Sequence, residues 1–427
     1  MSVKLKIIGE MYKTTFLFLS LATIVGCSVP ENKLPVTKPE KVGMSGDRLN
    51  RIKSVMQEYI DENKLPGLIT MVARRGKVVH FEKYGLMDAD KPMQLNTIFR
   101  IASMTKPVTS VAIMMLYEEG YFQLNDPVAN YIPEFKDVKV FSSVDKNGIH
   151  AVDQIKPMTI RDLLIHTSGL TGVGADSPVD SMYMVANLSE GSLKDMIQKL
   201  SEIPLLYQPG TRWNYSRSTE VLGYLVEVLS GKTFDVFLKE RIFNPLKMKD
   251  TDFYVPIEKF NRVGAVYSPD SVGIKIMMEP DTNIVSIPVK FLSGNGGLFS
   301  TATDYMIFCQ MLLNKGEYNG VRLLGSRTVD FMTSNHISNE IMPNDKFFGP
   351  LLSGMGFGFG FAILQDNVQS NIIGSEGSYW WSGSGNTYFY IDPKEELVLI
   401  LMTQFVPNFY YPVYKQLRVL AYQAIVD

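Results

Sequence analysis

Cysteine is almost missing from the 427 residues: Cys27 and Cys309 are the only two. One lies in the leader region and the other in the apolar run Met306-Ile307-Phe308-Cys309. That excludes a disulfide framework, and Cys309 reads as a buried core thiol. Histidine is also scarce, with His80, His150, His166 and His336 as the whole set. No Gly-x-Ser-x-Gly elbow occurs, so a Ser-His-Asp machine is not advertised. No group of His, Cys or carboxylates has metal-ligand spacing, and neither a metal nor a cofactor is expected. Charge of one sign is lacking too: 42 Lys and Arg stand against 44 Asp and Glu. With no basic field, nucleic acid is not an expected partner. After the leader, no apolar run reaches the roughly 20 residues that a membrane-spanning helix needs.

What is present is enough apolar content, 45% of the chain, to bury a large core in one or two domains. At the amino terminus, Lys4, Lys6 and Lys13 precede an apolar run from Phe16 to Gly26. The run is too short to span a bilayer and suits a signal-peptide core. It closes with Ile24-Val25-Gly26-Cys27, which resembles the lipobox of bacterial lipoproteins. The resemblance implies a signal peptide at 1–26, an acyl anchor on Cys27 and a lipid-anchored tether over 27–42, which is rich in proline and lysine. The expected location is then the bacterial cell envelope (periplasm), with the membrane reached through that anchor. An ordinary cleaved leader is the competing reading, and Met11 offers a second, more compact start.

Leu49, Ile52, Val55, Met56, Tyr59 and Ile60 keep helical spacing and predict an amphipathic helix over about 45–63. Leu68 to Arg75 and Val78 to Tyr84 are β-prone runs separated by Gly76-Lys77, a tight hairpin signal. Phe357 to Leu364, Thr387 to Asp392 and Leu397 to Gln404 read as strands, and a helix over about 411–425 closes the chain. Mostly helical patterns lie between, interrupted by polar loops near 137–157 and 171–190. The expected fold class is α+β: an antiparallel sheet flanked by N- and C-terminal helices, with an inserted mostly helical domain. The sheet domain would comprise 43–100 and 290–427, the helical domain 101–289, and a site is expected in the cleft between them.

A serine hydroxyl needs a neighbouring base to become a nucleophile. A lysine three residues on shares one helix face with it. Ser-x-x-Lys occurs twice, at Ser103–Lys106 and Ser143–Lys146. Ser143 sits in a polar stretch that ends in an Asn147-Gly148 turn. Ser103 instead opens a stripe of Val108, Val111, Ala112, Met115 and Leu116 that ends at Gly120. Ile113 and Met114 make that helix apolar nearly all round, so it should run through the core. A lysine there is costly unless it has a partner or a task. At the helix start, the dipole and free N–H groups favour negative charge beside Ser103. The competing reading is a simple N-cap serine with a snorkelling lysine.

Ile101-Ala102-Ser103-Met104-Thr105-Lys106-Pro107 resembles the first motif of the penicillin-recognising serine hydrolases. The branch most alike is the class C β-lactamase-like group with its esterases and D-amino-acid peptidases. Four more segments match in the family's order: Thr159 to Leu170, Pro209 to Ser216, Ser293 to Thr301 and Trp380 to Ser384. The resemblance covers about residues 40–427 and implies a β-lactamase/transpeptidase-like fold. It also implies a catalytic set of Ser103, Lys106 and Tyr215. The oxyanion would lie between the N–H groups of Ser103 and Ser384, with Gly383 allowing close approach and Trp381 and Ser382 lining the substrate. A nearby ammonium would lower the Tyr215 phenol, and either Tyr215 or Lys106 can then serve as base. His166, near the end of a short helix opened by Thr159 and Asp162, reads as a buried hydrogen-bonding histidine. Thr301 and Asp304 look like a capping pair.

Two positions depart from the β-lactamases. Arg217 stands where they have asparagine, and Trp381 stands where they have the lysine that contacts a substrate carboxylate. An apolar indole suits a neutral acyl or alkyl group, so ester hydrolysis is favoured over lactam hydrolysis. Arg217 reads either as a substrate-binding cation or, preferably, as a solvated surface arginine. The expected activity is therefore a carboxylesterase on small esters. The alternatives are a β-lactamase or D-amino-acid peptidase or amidase, and a non-catalytic cell-wall or ligand-binding lipoprotein.

Overall fold

The computed structural model describes residues 34–172, 177–271, 273–342 and 348–427. The signal peptide, Cys27 and the first residues of the tether lie outside the described residues. Leu34–Asp427 is one compact unit. Its centre is an antiparallel sheet drawn from both ends of the chain. Across it run Met355–Phe357, Ala362–Leu364, Tyr379–Ser382, Tyr388–Asp392, Leu397–Met402, Gly67–Arg74, Lys77–Asp88 and Lys91–Pro92. The first and last long strands meet mid-sheet, Ile69 opposite Met402 and Arg74 opposite Leu397.

Every residue of Gly67–Arg74, Tyr388–Asp392 and Leu397–Met402 is buried. These strands read as continuous apolar runs because both of their faces are covered. The Ala302–Leu313 helix packs on Leu397–Met402 and Tyr388–Asp392. The Val413–Tyr422 helix packs on Leu397–Met402 and against Arg51–Asp61. The hairpin between Gly67–Arg74 and Lys77–Asp88 turns at Arg75 and Gly76, with φ of 51° and 70°. Two positive φ values are what a tight hairpin matching the strand twist requires, and Gly76 meets this without strain.

The intervening chain is mostly helical. Its core is the helix Thr105–Glu118, in which every residue from Thr105 to Leu116 is buried. It packs on the helix Ser218–Ser230. Thr159 caps Ile160–Leu164 through a full capping box with Asp162, and Thr301 caps Ala302–Leu313 by accepting the Asp304 N–H.

Four expectations need correction. The 137–157 loop contains a hairpin, Val140–Asp145 with Gly148–Val152, so Ser143 lies in a strand. Its residues beyond Val140 are mostly exposed, so no buried face imposes an alternating pattern. Within 171–190, Ser177 caps a helix at Pro178–Val185, and 173–176 lie outside the described residues. Phe357 to Leu364 is the bend of a hairpin and not one strand, because Gly358 and Gly360 turn the chain between Phe357 and Ala362. Finally, residues 34–42 are docked and do not hang free. Thr37 N–H donates to the Val78 carbonyl at 3.0 Å, Val78 N–H donates to the Pro35 carbonyl at 2.8 Å, and Val42 is buried.

Candidate active site

Ser103 lies in a tight turn, Ala102–Met104, that leads into the Thr105–Glu118 helix. Ala102 just before it has φ 43°. That left-handed conformation costs a non-glycine residue roughly 1 kcal/mol and persists only where the surroundings enforce it. Here Ile101 N–H donates to the Leu298 carbonyl at 3.0 Å, and Tyr305 Oη donates to the Met104 carbonyl at 2.8 Å. The Ser103 side chain is left partly exposed.

Lys106, one turn on, is buried to 2% exposure. Its Nζ donates to Ser103 Oγ at 3.1 Å and to the Asn295 carbonyl at 2.9 Å. It also stands 4.4 Å from the centroid of the Tyr215 ring, over its face. Burial pulls the ammonium down to about 7, while Glu220 pulls upward and Arg217 pushes further down.

Tyr215 enters from the loop before Ser218–Ser230. Asn214 N–H donates to the His166 carbonyl at 2.8 Å and Gly210 N–H donates to the Thr167 carbonyl at 2.7 Å, which pins this loop to the His166 segment. The ring packs on His166, Phe348 and Trp381 at centroid distances of 4.9, 5.1 and 5.4 Å. Its hydroxyl hydrogen-bonds with Ser103 and accepts from Trp381 Nε1 at 3.1 Å. Burial raises the phenol above its ordinary value, more than these hydrogen bonds lower it. The expected lowering by a nearby ammonium is therefore corrected. Lys106 stands 4.4 Å from the ring centroid, and burial lowers the lysine itself, which weakens the ammonium that would hold the phenol down.

His166 has φ 57° and is buried. Its Nδ1 is 3.2 Å from Ser216 Oγ. Burial first, then the Lys106 charge, lowers it well below its ordinary value, so it packs beneath Tyr215 as a neutral ring.

The strand Tyr379–Ser382 brings the remaining segment in. A Cβ added to Gly383 would lie 2.2 Å from Thr387 Oγ1 and 2.4 Å from the Ile101 carbonyl oxygen. Only glycine fits where this strand end meets the backbone leading to Ser103. Trp381 is buried, Ser382 is buried with its hydroxyl accepting from Asn408 Nδ2 at 3.3 Å, and Ser384 is exposed.

Ser103, Lys106, Tyr215 and Trp381 are thus in direct contact, and Gly383 abuts the chain just before Ser103. Arg217 is near enough to act on Lys106 by its charge but is engaged by other partners. Its Nη1 is 4.0 Å from Glu220 Oε1 and donates to Ser189 Oγ at 3.4 Å, with its side chain only 25% exposed. It is not a solvated surface arginine, because the helix start at Ser218 turns it back along its own first turn toward buried Glu220. Two participants were not anticipated. Glu220 is one acidic residue in a helix's first turn, which the dipole favours anywhere. Asn295 acts through its backbone carbonyl, which no side-chain pattern reveals.

The sequence profile of the Beta-lactamase family matches residues 52–423. Protein Rv1367c of Mycobacterium tuberculosis is 34% identical over 366 residues, covering 83% of this chain and 89% of that protein. Esterase EstB of Burkholderia gladioli is 26% identical over 379 residues, covering 83% and 89%. Among solved structures, simvastatin synthase (LovD) from Aspergillus terreus superposes with a TM-score of 0.76 at 24% identity, over 90% of this chain and 98% of that one.

Proposed function

This chain belongs to the Beta-lactamase family, and we propose that it is a serine hydrolase forming an acyl-enzyme on Ser103, with small neutral carboxylic esters as preferred substrates. The observation that carries the reading is the 3.1 Å contact between Ser103 Oγ and the buried Lys106 amine, whose proton is held only to about pH 7. Near neutrality much of this lysine is uncharged and ready to accept a proton. Tyr215, raised by burial, keeps its proton. The division of labour follows: Lys106 is the base and Tyr215 the proton donor to the leaving group.

In the proposed cycle, Ser103 Oγ attacks the ester carbonyl carbon as Lys106 takes the hydroxyl proton. The carbonyl oxygen gathers the negative charge between the N–H groups of Ser103 and Ser384. As the intermediate collapses, the C–O bond to the alcohol breaks, Tyr215 protonates the departing oxygen, and Lys106 returns a proton to Tyr215. Water then attacks the acyl-serine under the same base, and the acid leaves with Ser103 restored.

The ester preference is supported by Trp381. It fills the place of a carboxylate-binding lysine, and its indole N–H is engaged by Tyr215 Oη. Arg217 is already engaged by Glu220 and Ser189, which opposes its use as a replacement cation. Turnover of short p-nitrophenyl esters, a chromogenic cephalosporin and D-amino-acid amides tests this. Esters are expected to be hydrolysed with the highest kcat/KM; a cephalosporin turned over faster would overturn the preference. We also propose envelope anchoring through Cys27. It predicts metabolic palmitate incorporation that Cys27→Ala abolishes, and labelling unaffected by that substitution would contradict it.

A further inference from the structure

Glu220 has no step in the cycle above, yet it is only 2% exposed in the first turn of Ser218–Ser230. A buried carboxylate is costly unless each oxygen is satisfied. Its Oε1 accepts from Ser293 Oγ at 2.7 Å and its Oε2 from the Asn295 N–H at 3.2 Å. Two further bonds tighten the same turn: Gly296 N–H donates to Ser293 Oγ at 3.1 Å, and Thr109 Oγ1 donates to the Gly294 carbonyl at 2.8 Å. Out of this turn comes the Asn295 carbonyl that accepts from Lys106 Nζ at 2.9 Å. One residue therefore connects Glu220 to Lys106: the Asn295 N–H donates to the carboxylate, and the Asn295 C=O, in the next peptide unit, accepts from the ammonium.

We propose that Glu220 is a positioning residue for the Lys106–Ser103 pair: it holds the Asn295 carbonyl on Lys106, and its negative charge opposes release of the Lys106 proton. The proposal rests on the acyl-enzyme reading. The groups that face Lys106 are Ser103 on its own helix start, the Tyr215 ring, neutral His166, the Asn295 carbonyl, and the pair Glu220 and Arg217. Burial raises the Glu220 carboxyl, while Ser293, Arg217, the Asn295 N–H and Lys106 favour its charged form. Burial is the largest influence on Lys106 and lowers it, Glu220 raises it, and Arg217 lowers it. A carboxylate serving only as a loop brace would be replaceable by a neutral amide without changing the pH at which the base becomes active.

The test is the pH profile of kcat/KM on a p-nitrophenyl ester for the wild type, Glu220→Gln, Glu220→Asp and Ser103→Ala. Glu220→Gln retains an acceptor for Ser293 Oγ, gives up the one for the Asn295 N–H and removes the charge, so its acid limb should move to lower pH by roughly 0.5 to 1 unit. A limb that stays in place or moves upward overturns the proposal. Glu220→Asp keeps the charge but is one methylene shorter. Its limb should stay with the wild type while its alkaline plateau falls about 10-fold. A plateau equal to the wild type overturns the positioning role, even if Glu220→Gln does not fold. Ser103→Ala separates the two levels: full ester turnover there would mean that the underlying reading has failed, and an inactive Ser103→Ala with an unmoved Glu220→Gln limb sinks this proposal alone.

Discussion

Trp381 Nε1 donates a 3.1 Å hydrogen bond to Tyr215 Oη, and the two rings lie with centroids 5.4 Å apart at 44°. The indole N–H occupies the phenol oxygen as acceptor, so the phenol's own hydrogen is free to point toward Ser103. Trp381 thereby connects the strand Tyr379–Ser382 to the proton donor of the proposed cycle. It also stabilises any negative charge that develops on Tyr215 as the proton leaves.

Trp381→Phe keeps a buried aromatic ring and removes only that N–H. A single hydrogen bond contributes about 1 kcal/mol, so kcat/KM for esters should fall about 5- to 10-fold with the melting temperature nearly unchanged. Steady-state kinetics beside thermal melts check this. A variant with wild-type kcat/KM would remove Trp381 from the proton path.

The pH dependence follows from Lys106, held down to about 7 chiefly by burial. In the proposed cycle the competent base is the neutral amine. Activity should therefore rise with pH through about 7 and level off above it. Tyr215 is raised, not lowered, by burial, so no alkaline fall is expected below about pH 10. A rate that kept climbing toward the ordinary lysine value of 10.5 would contradict the assignment of a desolvated lysine.

Gly383→Ala tests the close approach of the strand end. Its Cβ would meet Thr387 Oγ1 at 2.2 Å and the Ile101 carbonyl oxygen at 2.4 Å. The Ile101 oxygen belongs to the backbone that leads into Ser103, so relief requires moving one side of the site. Overpacking of this kind costs about 1–3 kcal/mol, and a shift near 1 Å at the oxyanion position costs about 100-fold in kcat. Chemical denaturation and kinetics on the same variant read both effects. Unchanged values of both would mean that the strand end is free to give way.

Much of this arrangement is legible in the sequence, for identifiable reasons. The split sheet shows because its central strands, buried on both faces, are continuous apolar runs such as Leu397–Met402. The helix behind Ser103 shows because it is apolar nearly all round, which also makes Lys106 conspicuous. The capping pairs Thr159–Asp162 and Thr301–Asp304 show because that chemistry is local in sequence. The unread parts depend on non-local or backbone contacts. The Val140–Val152 hairpin buries too little to leave a pattern. Arg217 reads as solvated until the helix start turns it toward Glu220. The Ser293 to Thr301 segment stands out in the sequence, but the role of the Asn295 carbonyl does not, because a backbone oxygen has no residue type to mark it. The resemblance implies that Lys106 and Tyr215 meet, but not that burial outweighs every lowering influence on the phenol.

The central claim is that Ser103 is the nucleophile, and the most direct measurement is site mapping of the covalent adduct. The protein is treated with a fluorophosphonate and with a slowly released p-nitrophenyl ester, weighed intact, digested and sequenced by tandem mass spectrometry. The account predicts one adduct per chain, on the peptide containing Ser103, absent in Ser103→Ala and slowed in Lys106→Met. An adduct mapped to another residue, or full ester turnover by Ser103→Ala, would contradict it.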